Sequence, residues 1–264
     1  MSVRIRVLVV AVIGALSALL TAQTPPDFSG VYRPINAFGP AGGTGGGRPG
    51  APPPAARPAP GQPLPPPTRT APLSDGSRGR AADAPQLTPE YMTKWQAISK
   101  ARIAGDTSSD NTARCLPPGM PAMMNMAYGM EVMQTKDKIT FFSELNDALR
   151  RVYLDGRKPT QKVLDDPTYA GYSTGRWEGD TLVVDTVALR DNSYIEGFSP
   201  HSDQMTVHER IRFVENGILE DRITVNDPKA LVKPWETVKR YRRAASGDDQ
   251  LREFACAEGI EHAK

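Results

Sequence analysis

The sequence predicts a mainly β fold: an antiparallel meander that forms a closed or nearly closed β-barrel, lipocalin-like or calycin-like in outline, with one packed α-helix. Three observations predict it. From Tyr128 onward, short segments rich in Val, Ile, Thr, Tyr, Phe and Trp follow one another almost without interruption. Most gaps between them are turn-sized and hold turn residues, as at Asn146-Asp147, Glu178-Gly179-Asp180 and Asn216-Gly217. Only one stretch ahead of them has helical periodicity. Consecutive strands with short turns pair as a meander, and nine or ten of them suggest closure. A two-sheet sandwich is the alternative.

Taken in order, residues 1–22 read as a secretory signal peptide. Arg4 and Arg6 give a basic start, 7–20 is apolar and uncharged, and Ala22 is small enough for cleavage. Residues 23–36 hold a first strand region around Asp27-Phe28-Ser29-Gly30-Val31-Tyr32. Residues 37–86 are dominated by Gly, Pro, Ala and Ser. They carry too little apolar surface to offset the entropy of ordering, so the segment reads as a disordered tether. The barrel-like domain then occupies 87–264. Thr88 suits an N-cap, Pro89 the first helical position, and Glu90 the positive end of the helix dipole. Tyr91, Trp95, Ile98 and Arg102 share a face, and Gly105 ends the helix after about 15 residues.

Strands are expected at 128–134, 138–145, 149–154, 172–178, 181–189, 205–214, 218–226, 235–243 and 251–256. Two longer loops, 155–171 and 190–204, interrupt them, and long loops on a β scaffold are where function concentrates. One hairpin fixes its own register. A loop at Glu215-Asn216-Gly217 with Gly217 left-handed sets Phe213 against Leu219, Ile211 against Asp221, Glu209 against Ile223 and Val207 against Val225. The apolar face then carries two acids, Glu209 and Asp221. A two-residue turn would mix apolar and charged residues on both faces.

Lys and Arg (32) nearly balance Asp and Glu (30), and no basic block stands out, so nucleic acid is not an expected partner. After the leader no segment is apolar enough to span a bilayer as a helix. Cys115 and Cys256 are the two cysteines. In an oxidising compartment such a pair forms a disulfide, here closing a loop of about 140 residues, worth about 4–5 kcal/mol on the chain-entropy model.

Four clusters could carry chemistry. Glu209 and Asp221 on an inward face must find partners or titrate upward; they would line a pocket or pair with an inward Arg151 or Arg176. His201, in Pro200-His201-Ser202-Asp203, could act as general acid/base or ligand, oriented by Asp203. Met120, Met123, Met124, Met126, Met130 and Met133 are six of the nine methionines. They suit Cu(I) outside the cytoplasm, or an apolar pocket lining. Arg151, Tyr153 and Asp155 share a strand face and could clamp an anion at a pocket mouth.

Several stretches resemble, in this order, a family of exported bacterial proteins of uncharacterised function. They are Asp27–Tyr32, Leu87-Thr88-Pro89-Glu90-Tyr91, Arg114-Cys115-Leu116-Pro117-Pro118-Gly119-Met120-Pro121, the run 175–186 and Pro200-His201-Ser202-Asp203. The resemblance implies export and supplies no activity or catalytic residue. Tyr172 stands where many members carry His.

The function expected is that of a periplasmic or secreted protein binding a small, partly apolar molecule in the barrel. Trp177, Tyr153 and Met124 would supply apolar contact; Glu209, Asp221 and Arg151 would fix its polar groups. Two alternatives stand beside it. One is a lyase, isomerase or hydrolase working without a cofactor, with His201 and Glu209 moving protons. The other is a copper-handling accessory protein built on the methionines.

Overall fold

A computed structural model of the chain describes residues 24–35, 83–125, 128–247, 250–254 and 256. The leader, most of the Pro/Gly-rich segment and Met126 lie outside the described residues. Nine strands form one closed barrel: β1 (Gly30–Ile35), β2 (Met130–Gln134), β3 (Lys138–Ser143), β4 (Ala148–Tyr153), β5 (Tyr172–Glu178), β6 (Thr181–Val187), β7 (Thr206–Glu215), β8 (Ile218–Asn226) and β9 (Trp235–Arg243). They lie in chain order around the barrel, and β9 closes it by pairing with β1.

The expected meander holds with one exception. β4 and β5 pair in parallel, because 155–171 carries the chain back across the barrel before β5 begins. That connection holds a short helix, α2 (Gln161–Asp165), that the sequence reading treated as loop. The expected strand at 251–256 is absent from the described part of that segment, 251–254 being irregular chain. The β7–β8 hairpin has the expected register, with Phe213 opposite Leu219 and Glu209 opposite Ile223. A bulge between Phe213 and Glu215, with Gly217 at φ +73°, supplies the extra residue that keeps the apolar face whole.

Alternation fills the interior with Val132, Phe141, Val152, Leu182, Val184, Ile211, Leu219 and Ile223, none more than 1% exposed. One end is plugged by Phe28, whose ring lies 5.1 Å from both Trp177 and Phe213. The other end lies under the 190–204 loop and the chain from Asn111 to Met124. The helix α1 (Pro89–Ile103) buries Tyr91 and packs Met92 and Trp95 against the core. Trp95 Nε1 donates to Gly197 O at 3.1 Å, so the helix braces the 190–204 loop as well as the sheet. Thr88 makes no side-chain cap; its hydroxyl donates to Lys229 O.

The last residues of the Pro/Gly-rich segment are docked. Trp235 Nε1 donates to Asp83 O at 2.7 Å and Val232 N to Gln86 O at 2.9 Å. Cys115 and Cys256 form the expected disulfide across a separation of 141 residues. It ties the chain after β9 to the segment that caps the barrel. Replacing both cysteines by serine is expected to lower Tm by about 8–16 °C in a calorimetric scan, the equivalent of about 4 kcal/mol at this size.

Candidate functional site

The barrel interior holds an ionic cluster. On β4, Ala148, Arg150 and Val152 point inward, so Arg150 is the inward arginine and Arg151 is exposed. The sequence reading placed Arg151 at a pocket, one residue off, and period two sends neighbours to opposite faces. Tyr153 shares the outer face and packs on Tyr172, ring centroids 5.2 Å apart, with Arg157 over its ring. Arg176, the other arginine considered, is outward and pairs with Glu178 and Asp185.

Arg150 forms a two-pronged ion pair with Glu209. Its Nη1 lies 2.8 Å from Oε1, and its Nη2 also meets Oε2. Nη2 donates to Thr186 Oγ1 at 3.0 Å and Nε to Ser173 Oγ at 3.2 Å. Both charged side chains are fully buried. Burial works against the guanidinium's charge, but the Glu209 carboxylate outweighs it and holds the Arg150 pKa above its usual value.

Asp221 is fully buried too; no donor reaches its carboxyl, whose hydrogen-bond neighbour is the Glu209 carboxylate, to which the protonated acid donates. Burial first, then the Glu209 charge, push its pKa well above the usual 3.8. The cluster thus holds two carboxyls against one fully buried cation, and the second carboxyl keeps its proton. Tyr241, on the same inner face, is also pushed well up by burial and by these acids. Its hydroxyl donates to Met124 O, tying the cap to the barrel.

This corrects the expected ligand seat. Arg150, Glu209 and Asp221 expose at most 1% of their surface, so no water-sized space adjoins them. At this level the lumen is packed. Trp177 stacks in the aromatic plug at the far end. Met124 is core, with Met120, Met123 and Met130, whereas Met133 is 41% exposed.

His201 is buried and held apart from Glu209's partners. Its Nδ1 lies 2.8 Å from Ser202 O and its Nε2 2.9 Å from Ser193 Oγ. A carbonyl only accepts, so Nδ1 carries a proton, and the single Ser193 hydroxyl proton is shared between Nε2 and Arg190 O, 3.1 Å away. Burial lowers the His201 pKa, which keeps the ring neutral. Asp203 does not orient it: that side chain is 72% exposed and faces Lys229. The acid that holds the loop is Asp227, just after β8, which accepts from Ser202 N (2.6 Å), Ser202 Oγ (2.7 Å) and Ala230 N (2.9 Å). The Ser193–His201 pair has the geometry of a base facing a hydroxyl, but with both side chains buried it serves as a strut across the loop.

Open space lies above this strut, at the capped end. A cleft of about 130 Å³ separates Asp110, Asn111, Thr112, Pro118 and Ala122 from 194–198. Asn111 Nδ2 donates to Asn192 O at 2.9 Å and clips the two walls together. Gly119 permits their close approach: at φ +79°, a Cβ there would fall 2.6 Å from Ser193 Cβ. Arg102 of α1 lies over the Phe198 ring at 3.4 Å and pairs with Asp110 at 3.1 Å. Glu196, on the opposite wall, lies 3.9 Å from Lys239 of β9. Sequence reasoning missed Arg150, Ser193, Asp227 and Lys239. Arg150 was reachable, since assigning Val152 inward forces Arg150 inward as well.

The Asp221 protonation has a measurable consequence. A carboxyl whose pKa is raised by folding contributes stability that is full below its ordinary value and is lost as pH rises toward the folded one. Asp110, Glu144 and Glu220 have lowered pKa values and act in the opposite sense, losing stability as pH falls. The difference between Asp221→Asn and wild type isolates Asp221. In urea unfolding, that difference is expected to be flat below pH 4 and then to grow in the variant's favour, by at most about 1.4 kcal/mol per pH unit. A difference independent of pH would mean that folding leaves the Asp221 pKa at its ordinary value.

No family model and no curated protein matches the chain. Among solved structures, it is similar to the fluorescent protein UnaG, at 17% identity and a TM-score of 0.26, over 44% of this chain and 72% of that one. An asparagine-to-alanine mutant of UnaG gives 16% and 0.27 over 45% and 72%. A likeness at that level carries no argument about function, which therefore rests on the cleft and the interior cluster.

Proposed function

We propose that this chain is an exported small-molecule-binding protein whose ligand seat is the cleft at the capped end of the barrel. The cleft carries the reading. It offers about 130 Å³ between two long segments braced by a helix and a closed barrel, and such rims are where small ligands bind. Pro118, Ala122, Ile195 and Phe198 supply an apolar wall, while Asn111, Thr112, Tyr194 and Glu196 supply convergent polar groups. The volume suits roughly one aromatic ring, since an engineered cavity of about 150 Å³ holds benzene. A larger ligand would seat one ring-sized end and leave the rest toward solvent. Export is supported by the leader-like composition of 1–22 and by the Cys115–Cys256 bond.

Ala122→Phe would place a ring in the cleft while leaving the barrel untouched. Native mass spectrometry of protein purified from the export compartment is expected to show a retained small molecule on the wild type and none on the variant. Wild type without bound mass, or a variant retaining the same mass, would contradict the cleft as the seat. Circular dichroism confirms that the variant keeps its strands.

A further inference from the structure

The outer wall of the barrel gathers arginines that are scattered along the sequence. On β7, β8 and β9 the residues that alternate with the core positions point outward. Arg210 and Arg212 of β7, Arg222 of β8, and Arg240 and Arg242 of β9 are all exposed there. The register sets Arg210 directly against Arg222, and puts Arg212, Glu220 and Arg240 in one row. Arg242 faces Arg33 of β1. With strands about 4.8 Å apart and same-face residues about 6.8 Å apart, the charges spread in two dimensions.

The acids nearby leave the wall basic. Glu220 lies in its middle but is only 1% exposed, because Arg222 and Arg240 cover it; the Nε of each donates to its carboxylate at 2.9 Å. Those two arginine side chains stay 55% exposed. Arg210 pairs with Glu178 of β5 and is still 45% exposed. Glu215 and Glu236 stand at the two ends of the patch. Like charges directly opposite on paired strands are destabilising, so the wall holds a repulsion that an anionic partner relieves. Val238, opposite Arg222, is 43% exposed among these guanidinium groups. A lipid headgroup layer offers phosphates in two dimensions with acyl carbon beneath them, whereas an acidic chain offers a line of charge and nothing for Val238 to touch.

We propose that the outer face of β7, β8 and β9 docks on the surface of an anionic phospholipid bilayer, with the arginines on headgroup phosphates and Val238 at the acyl boundary. Arginine suits that role, because its planar fork takes two phosphate oxygens at once. The attachment is peripheral and reversible, and it is independent of whether the cleft holds a ligand.

Vesicle flotation of the purified protein tests it. Binding is expected to vesicles of mixed phosphatidylglycerol and phosphatidylcholine at low salt, and not to phosphatidylcholine alone. It is expected to be lost at about 1 M salt, where exposed charges are screened. The double variant Arg212→Gln, Arg242→Gln is expected to bind about 30-fold more weakly. Lys158→Gln with Lys162→Gln removes the same charge from the exposed connection between β4 and β5, and is expected to leave binding unchanged. Val238→Trp is expected to shift its fluorescence to the blue when the anionic vesicles are added. Circular dichroism and Tm check that each variant is folded, as substitutions at exposed positions allow. The proposal is overturned by no binding to the anionic vesicles, equal binding to phosphatidylcholine, or an arginine variant that binds like wild type. It is equally overturned by a lysine variant that loses as much, an unshifted tryptophan, or binding of heparin or polyglutamate without binding of the vesicles.

Discussion

The contact between Arg150 and Glu209 constrains everything else in this barrel. Two full charges are taken out of water together, and their attraction offsets that cost only because the geometry is two-pronged and Ser173 and Thr186 occupy two of the three remaining guanidinium donors. Removing either partner would strand the other, at a cost of about 3–5 kcal/mol. The pair joins β4 to β7 across the lumen, on either side of the parallel β4–β5 pairing. Its presence decides two further matters. Asp221 has no fully buried cation of its own and so stays protonated, and the lumen has no room for a guest at that level.

With the centre packed, the ends differ in kind. One is sealed by aromatic rings around Phe28. The other is closed by chain that sinks Met120, Met123 and Met124 into the core and is held by hydrogen bonds: Met120 N donates to Tyr169 O at 2.9 Å and Asn146 Nδ2 to Leu116 O at 2.7 Å. Such a cap rests on the barrel with its own internal ties, namely the Asp227 fan of hydrogen bonds and the Ser193–His201 strut. A gap of about 130 Å³ lies between its two walls.

How far the sequence made this legible follows from which interactions are local. Strand alternation and turn residues are local, so the barrel, its hairpins and the β7–β8 register down to the Ile211–Asp221 pair were readable. The inward placement of Glu209 and Asp221 came with that register. The partner of Glu209 was missed because Arg150 and Arg151 are adjacent and only strand parity separates them; reading Val152 as core would have chosen correctly. The parallel β4–β5 pairing was hidden because 155–171 has the composition of a loop, and loop composition does not say on which side the chain returns. Asp203 looked like the partner of His201 because it is near in sequence. Asp227, 25 residues from Ser202, makes the bonds that hold that loop. Ser193 and the cleft walls had no sequence signature, since they exist only where two distant segments meet over Gly119.

The central claim is that the ligand seat lies on the cap and the lumen is a packed ionic core. Crystals soaked with ring-sized fragments such as phenol test it most directly. The account expects fragment density between Asn111 and Phe198, with Arg150, Glu209 and Asp221 unmoved. Density within the lumen in contact with Arg150 or Asp221, with the Arg150–Glu209 pair opened, would contradict it.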